Sequence, residues 1–175
     1  MNGDTAILID GESLAATSWE SISQAAARFG KASVVRVFGD FANNSHVAWL
    51  SVCRDKGVEP VLHCPSVTGK NGADMMIAIA AMDLLHAGFS GTLVIASNDR
   101  DFLPLARRLR LSGIVVCCVS TRAPNIAEAS VFSSWTDIGL KVPKPDASET
   151  QLANKPKAKH DPLTKLPATI EKILG

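Results

Sequence analysis

Two carboxylates that are separated by one residue follow an apolar run in the middle of the chain. Asp99 and Asp101 come shortly after residues 92–96. An earlier apolar run, residues 6–9, ends directly in Asp10. Because the carboxyl ends of parallel strands open on the ligand-binding crevice of a sheet, we expect these acids to meet at one edge. Converging carboxylates repel one another unless a hard cation such as Mg²⁺ or Mn²⁺ neutralises them, so the spacing predicts a metal site suited to phosphodiester cleavage.

A fourth carboxylate, Asp74, stands at the predicted start of a helix, behind the polar loop of residues 66–72. The start of a crossover helix also lies at the carboxyl edge of a parallel sheet. Each acid alone has a simpler explanation, since Asp10 before Gly11 is a common turn signal and Asp99 would cap a helix that starts beside it. Only the combination of four carboxylates favours a metal site over these local roles.

Short β-rich runs alternate with amphipathic stretches through most of the chain. We predict strands at residues 6–10, 33–38, 59–62, 92–96 and 114–119. We predict helices at residues 17–30, 45–57, 73–87 and 101–111. The first helix opens at the capping-box pattern of Thr17 and Glu20 and closes at Gly30, whereas Ser45 caps the second, which ends at Gly57. This alternation predicts an α/β fold, a three-layer α/β/α sandwich around a mostly parallel central sheet.

The composition is that of one ordinary soluble domain, with 175 residues, 46% of them hydrophobic and 20% charged. The four cysteines lack Cys-x-x-Cys spacing, so we expect buried thiols rather than zinc ligands or disulfides, and a cytoplasmic location. The first residues have neither the basic region of a signal peptide nor a run long enough to span a membrane, so we expect no membrane association. The sequence allows a homo-oligomer but contains no feature that indicates one.

The composition changes after Ile138. Residues 139–175 hold seven Lys against four acids and several prolines, which predicts a basic linker or tail, with residues 141–162 extended or mobile. Residues 166–174 begin a helical pattern, which leaves two alternatives: this stretch docks on the domain, or the chain leads into a further domain. The predicted domains are therefore 1–138 and the tail 139–175.

Four segments together resemble the NYN domain family, the LabA-like (DUF88) branch of the PIN-like nuclease superfamily. The resemblance runs in order over about residues 5–138 and is carried by Ile7-Leu8-Ile9-Asp10-Gly11, Arg36-Val37-Phe38-Gly39-Asp40-Phe41, Gly69-Lys70-Asn71-Gly72-Ala73-Asp74 with Ala81-Met82-Asp83-Leu84-Leu85, and Ser97-Asn98-Asp99-Arg100-Asp101-Phe102-Leu103-Pro104-Leu105-Ala106. It implies a PIN-like sandwich and a ribonuclease that uses Mg²⁺ or Mn²⁺ and acts on RNA.

The same resemblance assigns roles to particular residues. The acids that match the family's catalytic and metal-binding positions are Asp10, Asp74, Asp99 and Asp101. We further predict that the substrate is contacted by Ser13, Lys70, Asn71, Ser97 and Asn98. Serine hydroxyls bind water or phosphate, and a loop lysine either contacts phosphate or is merely exposed.

The chain departs from its apparent relatives at two positions. Ser13 stands where many have Asn, and Ala80 stands where they commonly have Asp in the helix after the Lys-Asn loop. One acidic ligand would then be missing, and Ala80→Asp would raise activity at limiting metal. The alternative function is a catalytically weakened NYN-fold module that binds RNA or has a regulatory role.

Two other phosphate-handling classes fit the residues less well. A receiver domain needs a Lys after the fifth strand, and no suitable one is found there. A haloacid-dehalogenase-like phosphatase needs a second Asp two residues after Asp10, where this chain has Glu12. A fold alone does not decide among such functions.

Overall fold

The computed structural model describes residues 3–63 and 72–139. Within them, six parallel strands form one sheet in the order β3-β2-β1-β4-β5-β6. The strands are β1 (Gly3–Asp10), β2 (Gly30–Gly39), β3 (Glu59–Leu62), β4 (Thr92–Ala96), β5 (Val115–Ser120) and β6 (Ser134–Asp137). The predicted α/β fold with a parallel sheet is confirmed, although the last edge strand was not predicted.

Five α-helices connect the strands. They are α1 (Trp19–Ala27), which follows a short 3₁₀ turn, α2 (Ala48–Lys56), α3 (Gly72–His86), α4 (Leu103–Leu111) and α5 (Ile126–Val131). Gly57 ends α2 in the left-handed conformation, as predicted. The predicted caps at Thr17 and Ser45 are wrong, because α1 begins after Ser18 and α2 after Val47, and neither residue caps its helix with a side-chain hydrogen bond.

The helices cover both faces of the sheet, and β1 shows how the sequence produces this arrangement. Its buried residues alternate, so that Leu8 packs in the apolar cluster shared with α3, α4 and α5, whereas Ile7 and Ile9 pack in the cluster shared with α1 and α2. A strand that is covered on both faces needs apolar side chains at every position. The near-continuous apolar runs of the sequence therefore indicate a three-layer sandwich.

The order of the strands changes direction between β1 and β4. The chain runs from β1 to β2 and β3 on one side, then returns to place β4 on the other side of β1, with Ile9 paired to Ala96. The loops after these two strands consequently turn to opposite faces of the sheet and leave a crevice at the carboxyl edge. Asp10 and Ser97, the next residues on each strand, lie at this crevice.

Gly11 lets the loop after β1 pass close to β2. Its amide donates a hydrogen bond of 2.9 Å to the carbonyl of Phe38. A Cβ atom at this position would lie 2.9 Å from Cγ2 of Val37 and 3.0 Å from the Phe38 oxygen. The Asp-Gly pair is thus more than a turn signal, because a side chain at Gly11 would require Val37 and the end of β2 to shift.

Three of the four cysteines lie in the described residues and are free and buried. Burial raises the pKa of Cys117 to about 11 and that of Cys118 to about 12, so both are inert thiols at neutral pH. Cys53 is likewise buried, and Cys64 lies outside the described residues. In the described part of the chain, no helix combines the length and the apolar character that crossing a bilayer requires. The predicted tail, residues 139–175, lies outside the described residues except for Gly139.

Candidate functional site

Asp10 is fixed in the crevice by three hydrogen bonds. The amides of Glu12 and Ser13 both donate to its Oδ1 at 3.1 Å. The hydroxyl of Ser97 donates to its Oδ2 at 2.8 Å. The carboxylate is 3% exposed, so these donors set its orientation at the carboxyl end of β1.

Two serines join the loop after β1 to the loop after β4. Since the single hydroxyl proton of Ser97 goes to Asp10, the 3.1 Å contact between the two hydroxyls requires Ser13 to donate to Ser97. Ser97 also accepts from the amide of Asp99 at 2.9 Å, and Ser13 accepts from the amide of Asn98 at 3.1 Å. Both hydroxyls are thereby committed to holding the two loops together.

Asp99 and Asp101 form an exposed turn ahead of α4. Oδ1 of Asp99 accepts from the amide of Asp101 at 2.9 Å. The helix begins only at Leu103, so the alternative explanation of Asp99 as its cap is wrong. An open depression of about 500 Å³ is lined by Ser13, Asn98, Asp99, Arg100 and Asp101.

The pKa of Asp74 shows that the acids interact. Asp74 lies in the first turn of α3, and burial is the largest cause that raises its pKa from 3.8 to about 6. The charges of Asp10, Asp99, Asp101 and Glu12 raise it further. The four predicted acids therefore share one electrostatic environment, which we call the acidic crevice: Asp10, Asp74, Asp99 and Asp101.

Glu12 is an acid that the sequence analysis did not place in the site. It is exposed, acts on the pKa of Asp74, and accepts a hydrogen bond of 3.0 Å from the amide of Asp40 at the end of β2. Its position two residues after Asp10 was a usable signal, because a loop that leaves a strand at the crevice carries its side chains along the same edge.

The donors of the acidic crevice suit a hard cation, since all are carboxylate oxygens. Their arrangement is not an assembled coordination shell. In the part of the chain that the structure describes, no three Asp, Glu, His or Cys side chains are grouped closely enough to hold a metal ion. The residues fit Mg²⁺ or Mn²⁺ in chemistry and in charge, and the structure shows a crevice in which these acids repel one another.

The predicted substrate contacts divide into two groups. Lys70 and Asn71 lie outside the described residues, so their roles stay predictions. Ser97 and Asn98 instead hold the site together: Asn98 donates its side-chain amide to the carbonyl of Ser13 at 3.1 Å and accepts a 2.7 Å bond from Ser120. These contacts give both residues a positioning role, and the predicted substrate contact is not tested by them.

The ion pair of the part-exposed Arg122 with the buried Glu128 was not identified from the sequence. Arg122 forms two hydrogen bonds with Glu128, which is 1% exposed on α5. A usable signal was Asn125 three residues before Glu128, since these two residues form a capping box in the structure. The sequence offered no comparable signal for Arg122.

Ala80, at the position where relatives commonly have Asp, is buried. It is 7% exposed and belongs to the buried apolar cluster that α3 forms with the sheet, together with Ile77 and Ala81. A carboxylate there would lose its hydration among apolar side chains. The loss of a metal ligand at Ala80 stays a prediction.

Comparison with known proteins supports the architecture. A sequence model described as the NYN domain matches residues 4–136. A crystal structure of a protein of unknown function from Vibrio parahaemolyticus is similar over 77% of this chain and 92% of that chain, with a TM-score of 0.59 and 16% sequence identity. At that identity the likeness concerns the fold alone. No curated protein matches the chain.

The raised pKa of Asp74 predicts how its substitution changes stability with pH. Protonated Asp74 favours the folded state below the unfolded pKa of 3.8, and this contribution is lost as pH rises through about 6. Above that pH, Asp74→Asn should raise the melting temperature in EDTA by a few degrees, a modest size because solvent screens the partly exposed group. The gain should vanish near pH 3.8. Asp4→Asn, an exposed acid at the other end of β1, is the control. If the melting temperature rose equally above pH 6 and near pH 3.8, the ionised Asp74 carboxylate would not be the cause of the gain.

The burial of Ala80 predicts the effect of a carboxylate at that position. Ala80→Asp should lower the free energy of unfolding by about 2–4 kcal/mol, because it places a charge in the apolar cluster. Ile79→Asp, a change at a half-exposed position on the same helix, should cost much less. Urea unfolding measures both. If Ala80→Asp bound Mn²⁺ more tightly without losing stability, position 80 would be a metal-ligand position.

Proposed function

Since this chain belongs to the NYN domain family, whose model covers residues 4–136, we propose that it is a metal-dependent ribonuclease that cleaves phosphodiester bonds of RNA at the acidic crevice. A PIN-like nuclease fold is consistent with that family. The observation that carries the proposal is the position of Asp10 and of the Asp99–Asp101 turn at the adjoining carboxyl ends of β1 and β4. The pKa of Asp74, which burial raises first and the charges of these acids raise further, supports it. Four acids in one field, at the position where the strand order reverses, favour a cation site over four unrelated local roles.

The four carboxylates of the crevice are the residues that would hold Mg²⁺ or Mn²⁺. The bound cation would supply a Lewis acid for the phosphate oxygens and lower the pKa of a water molecule. Asp10 contributes a rigid carboxylate, because three donors already fix its orientation. Asp99 and Asp101 are exposed, so their side chains have room to turn toward a ligand.

The shape of the site favours a polymeric substrate. The depression beside Asp99 is open to solvent, so it admits a segment of a strand rather than enclosing a small molecule. Arg100 lies between two acids of the crevice in the sequence, its side chain is 64% exposed, and its Nε lies 4.0 Å from Oε1 of Glu128. We assign it to a phosphate of the substrate, because a guanidinium binds phosphate through paired hydrogen bonds.

A second function is binding of RNA without cleavage. It is favoured by one observation, the lack of an assembled group of three metal-binding side chains among the described residues. In this alternative the crevice never gathers a cation tightly enough for catalysis, and Arg100 together with the predicted Lys70 would bind phosphates. The cytoplasm remains our proposed location for either function, on the basis of the buried free thiols.

Titration of Mn²⁺ against labelled single-stranded RNA tests the proposal. The wild-type protein should cleave with Mn²⁺ and not in EDTA. Asp99→Asn should reduce cleavage by about a hundredfold or more, because a hard-cation site loses a charged ligand. Asp4→Asn is the matched control and should cleave normally.

The other outcomes separate the two functions. Binding of RNA without cleavage at any Mn²⁺ concentration would reject the ribonuclease and support the second function. Equal cleavage by Asp99→Asn and wild type would remove the crevice from catalysis. A labelled single-stranded DNA of the same sequence shows whether the activity requires ribose.

A further inference from the structure

Glu128 is an unusual residue to find buried on a six-residue helix. Its side chain is 1% exposed, although a carboxylate loses much of its hydration energy there. The loss is offset by hydrogen bonds, because Oε2 accepts from Arg122 Nη1 at 2.9 Å and from the amide of Asn125 at 2.8 Å. Oε1 accepts from Arg122 Nη2 at 2.5 Å. Arg122 and then the Asn125 amide lower the pKa of Glu128 despite burial, so the pair is ionised.

The guanidinium of Arg122 joins three parts of the fold. One edge binds Glu128 on α5, and Nε donates to the carbonyl of Asn98, in the loop after β4, at 2.9 Å. Its carbon lies 5.2 Å from the centre of the Trp135 ring on β6. The indole Nε1 of Trp135 in turn donates to the carbonyl of Arg122 at 2.9 Å. Both the side chain and the backbone of Arg122 are therefore held.

Asn98 is the link from this ion pair to the crevice. Its backbone carbonyl binds Arg122, and its own side-chain oxygen accepts from the hydroxyl of Ser120 at 2.7 Å and the amide of Thr121 at 2.9 Å. Asp99 is the next residue along the chain. The position of the Asp99 backbone thus depends on contacts from the loop after β5.

These contacts oppose the repulsion between the charged side chains of the site. Asp99 and its acidic neighbours repel one another, which favours an outward movement of the exposed loop that carries Asp99. Arg122 opposes that movement through the Asn98 carbonyl. The charge of Asp99 also contributes to the raised pKa of Arg122, after the larger effects of Glu128. Stability alone is a weak reason for such a pair, because well-packed apolar residues replace many buried ion pairs without loss.

We propose that Arg122 and Glu128 are positioning residues of the acidic crevice. Their ion pair holds the Asn98 carbonyl, and with it Asp99, against the repulsion of the neighbouring carboxylates. The relevance of this arrangement to cleavage rests on the proposed ribonuclease function. The position of the loop itself is measurable without any RNA.

Arg122→Lys tests the proposal, since lysine keeps the charge but loses the planar fork that binds Glu128 and Asn98 together. Amide hydrogen exchange at Asn98 and Asp99 should accelerate by about tenfold or more, because both amides are hydrogen-bonded only while the loop is in place. Mn²⁺ binding, measured by calorimetry, should weaken by about tenfold. Glu128→Gln should act in the same direction.

Arg36→Lys is the matched control. Arg36 forms a 2.7 Å ion pair with Glu59 between β2 and β3, at an exposed position. This variant should change neither the exchange of the two amides nor Mn²⁺ binding. The comparison is made at a temperature where every variant is fully folded, so that a general loss of stability does not enter.

The outcomes decide between positioning and mere stabilisation. If Arg122→Lys lowers the melting temperature but leaves amide exchange and Mn²⁺ affinity unchanged, the proposal is wrong. If both respond while the wild type cleaves no RNA, the positioning role stands and the ribonuclease fails. Should Arg122→Lys not fold, Glu128→Gln serves as the second variant, since it weakens the ion pair while keeping the shape of the side chain. Unchanged exchange in that variant would overturn the proposal.

Discussion

The pairing of β1 with β4 is the constraint on which the candidate site depends. Because Ile9 is level with Ala96, the next residues, Asp10 and Ser97, lie side by side at the carboxyl edge of the sheet. The hydroxyl of Ser97 donates a 2.8 Å hydrogen bond to Asp10 just beyond the last paired residues of the two strands. A slip of one residue in either strand would turn its side chains to the other face and remove this contact. The apolar residues on both faces of each strand therefore set the geometry of the crevice.

Much of the fold could be predicted from the sequence, because buried parallel strands appear as near-continuous apolar runs. Residues 92–96 were predicted with correct bounds for this reason. The edge strand Ser134–Asp137 was missed because its half-buried residues form no apolar run. The caps at Thr17 and Ser45 failed because packing, rather than local hydrogen bonds, decided where those helices begin.

The acids of the candidate site could be predicted from the sequence, but the residues that hold its loops in place could not. Asp10, Asp74 and the two acids after β4 each follow or precede a recognisable element, so their position at one edge follows from topology. The bonds of Ser97 and Asn98 were not predicted, because they join residues of different loops, with separations of 84 for Ser13–Ser97 and 22 for Asn98–Ser120. Ala80 stays a prediction: the resemblance to relatives assigns a missing ligand to this position, and the structure places Ala80 in the apolar cluster.

A crystal of the protein soaked in Mn²⁺, with the anomalous signal of manganese recorded, shows whether the acidic crevice binds a cation. We expect one strong anomalous peak beside Asp10, with oxygens of Asp99 and at least one further acid of the crevice turned toward it at about 2.2 Å. A soaked crystal with no peak in the crevice, or with manganese bound only elsewhere, would contradict this expectation.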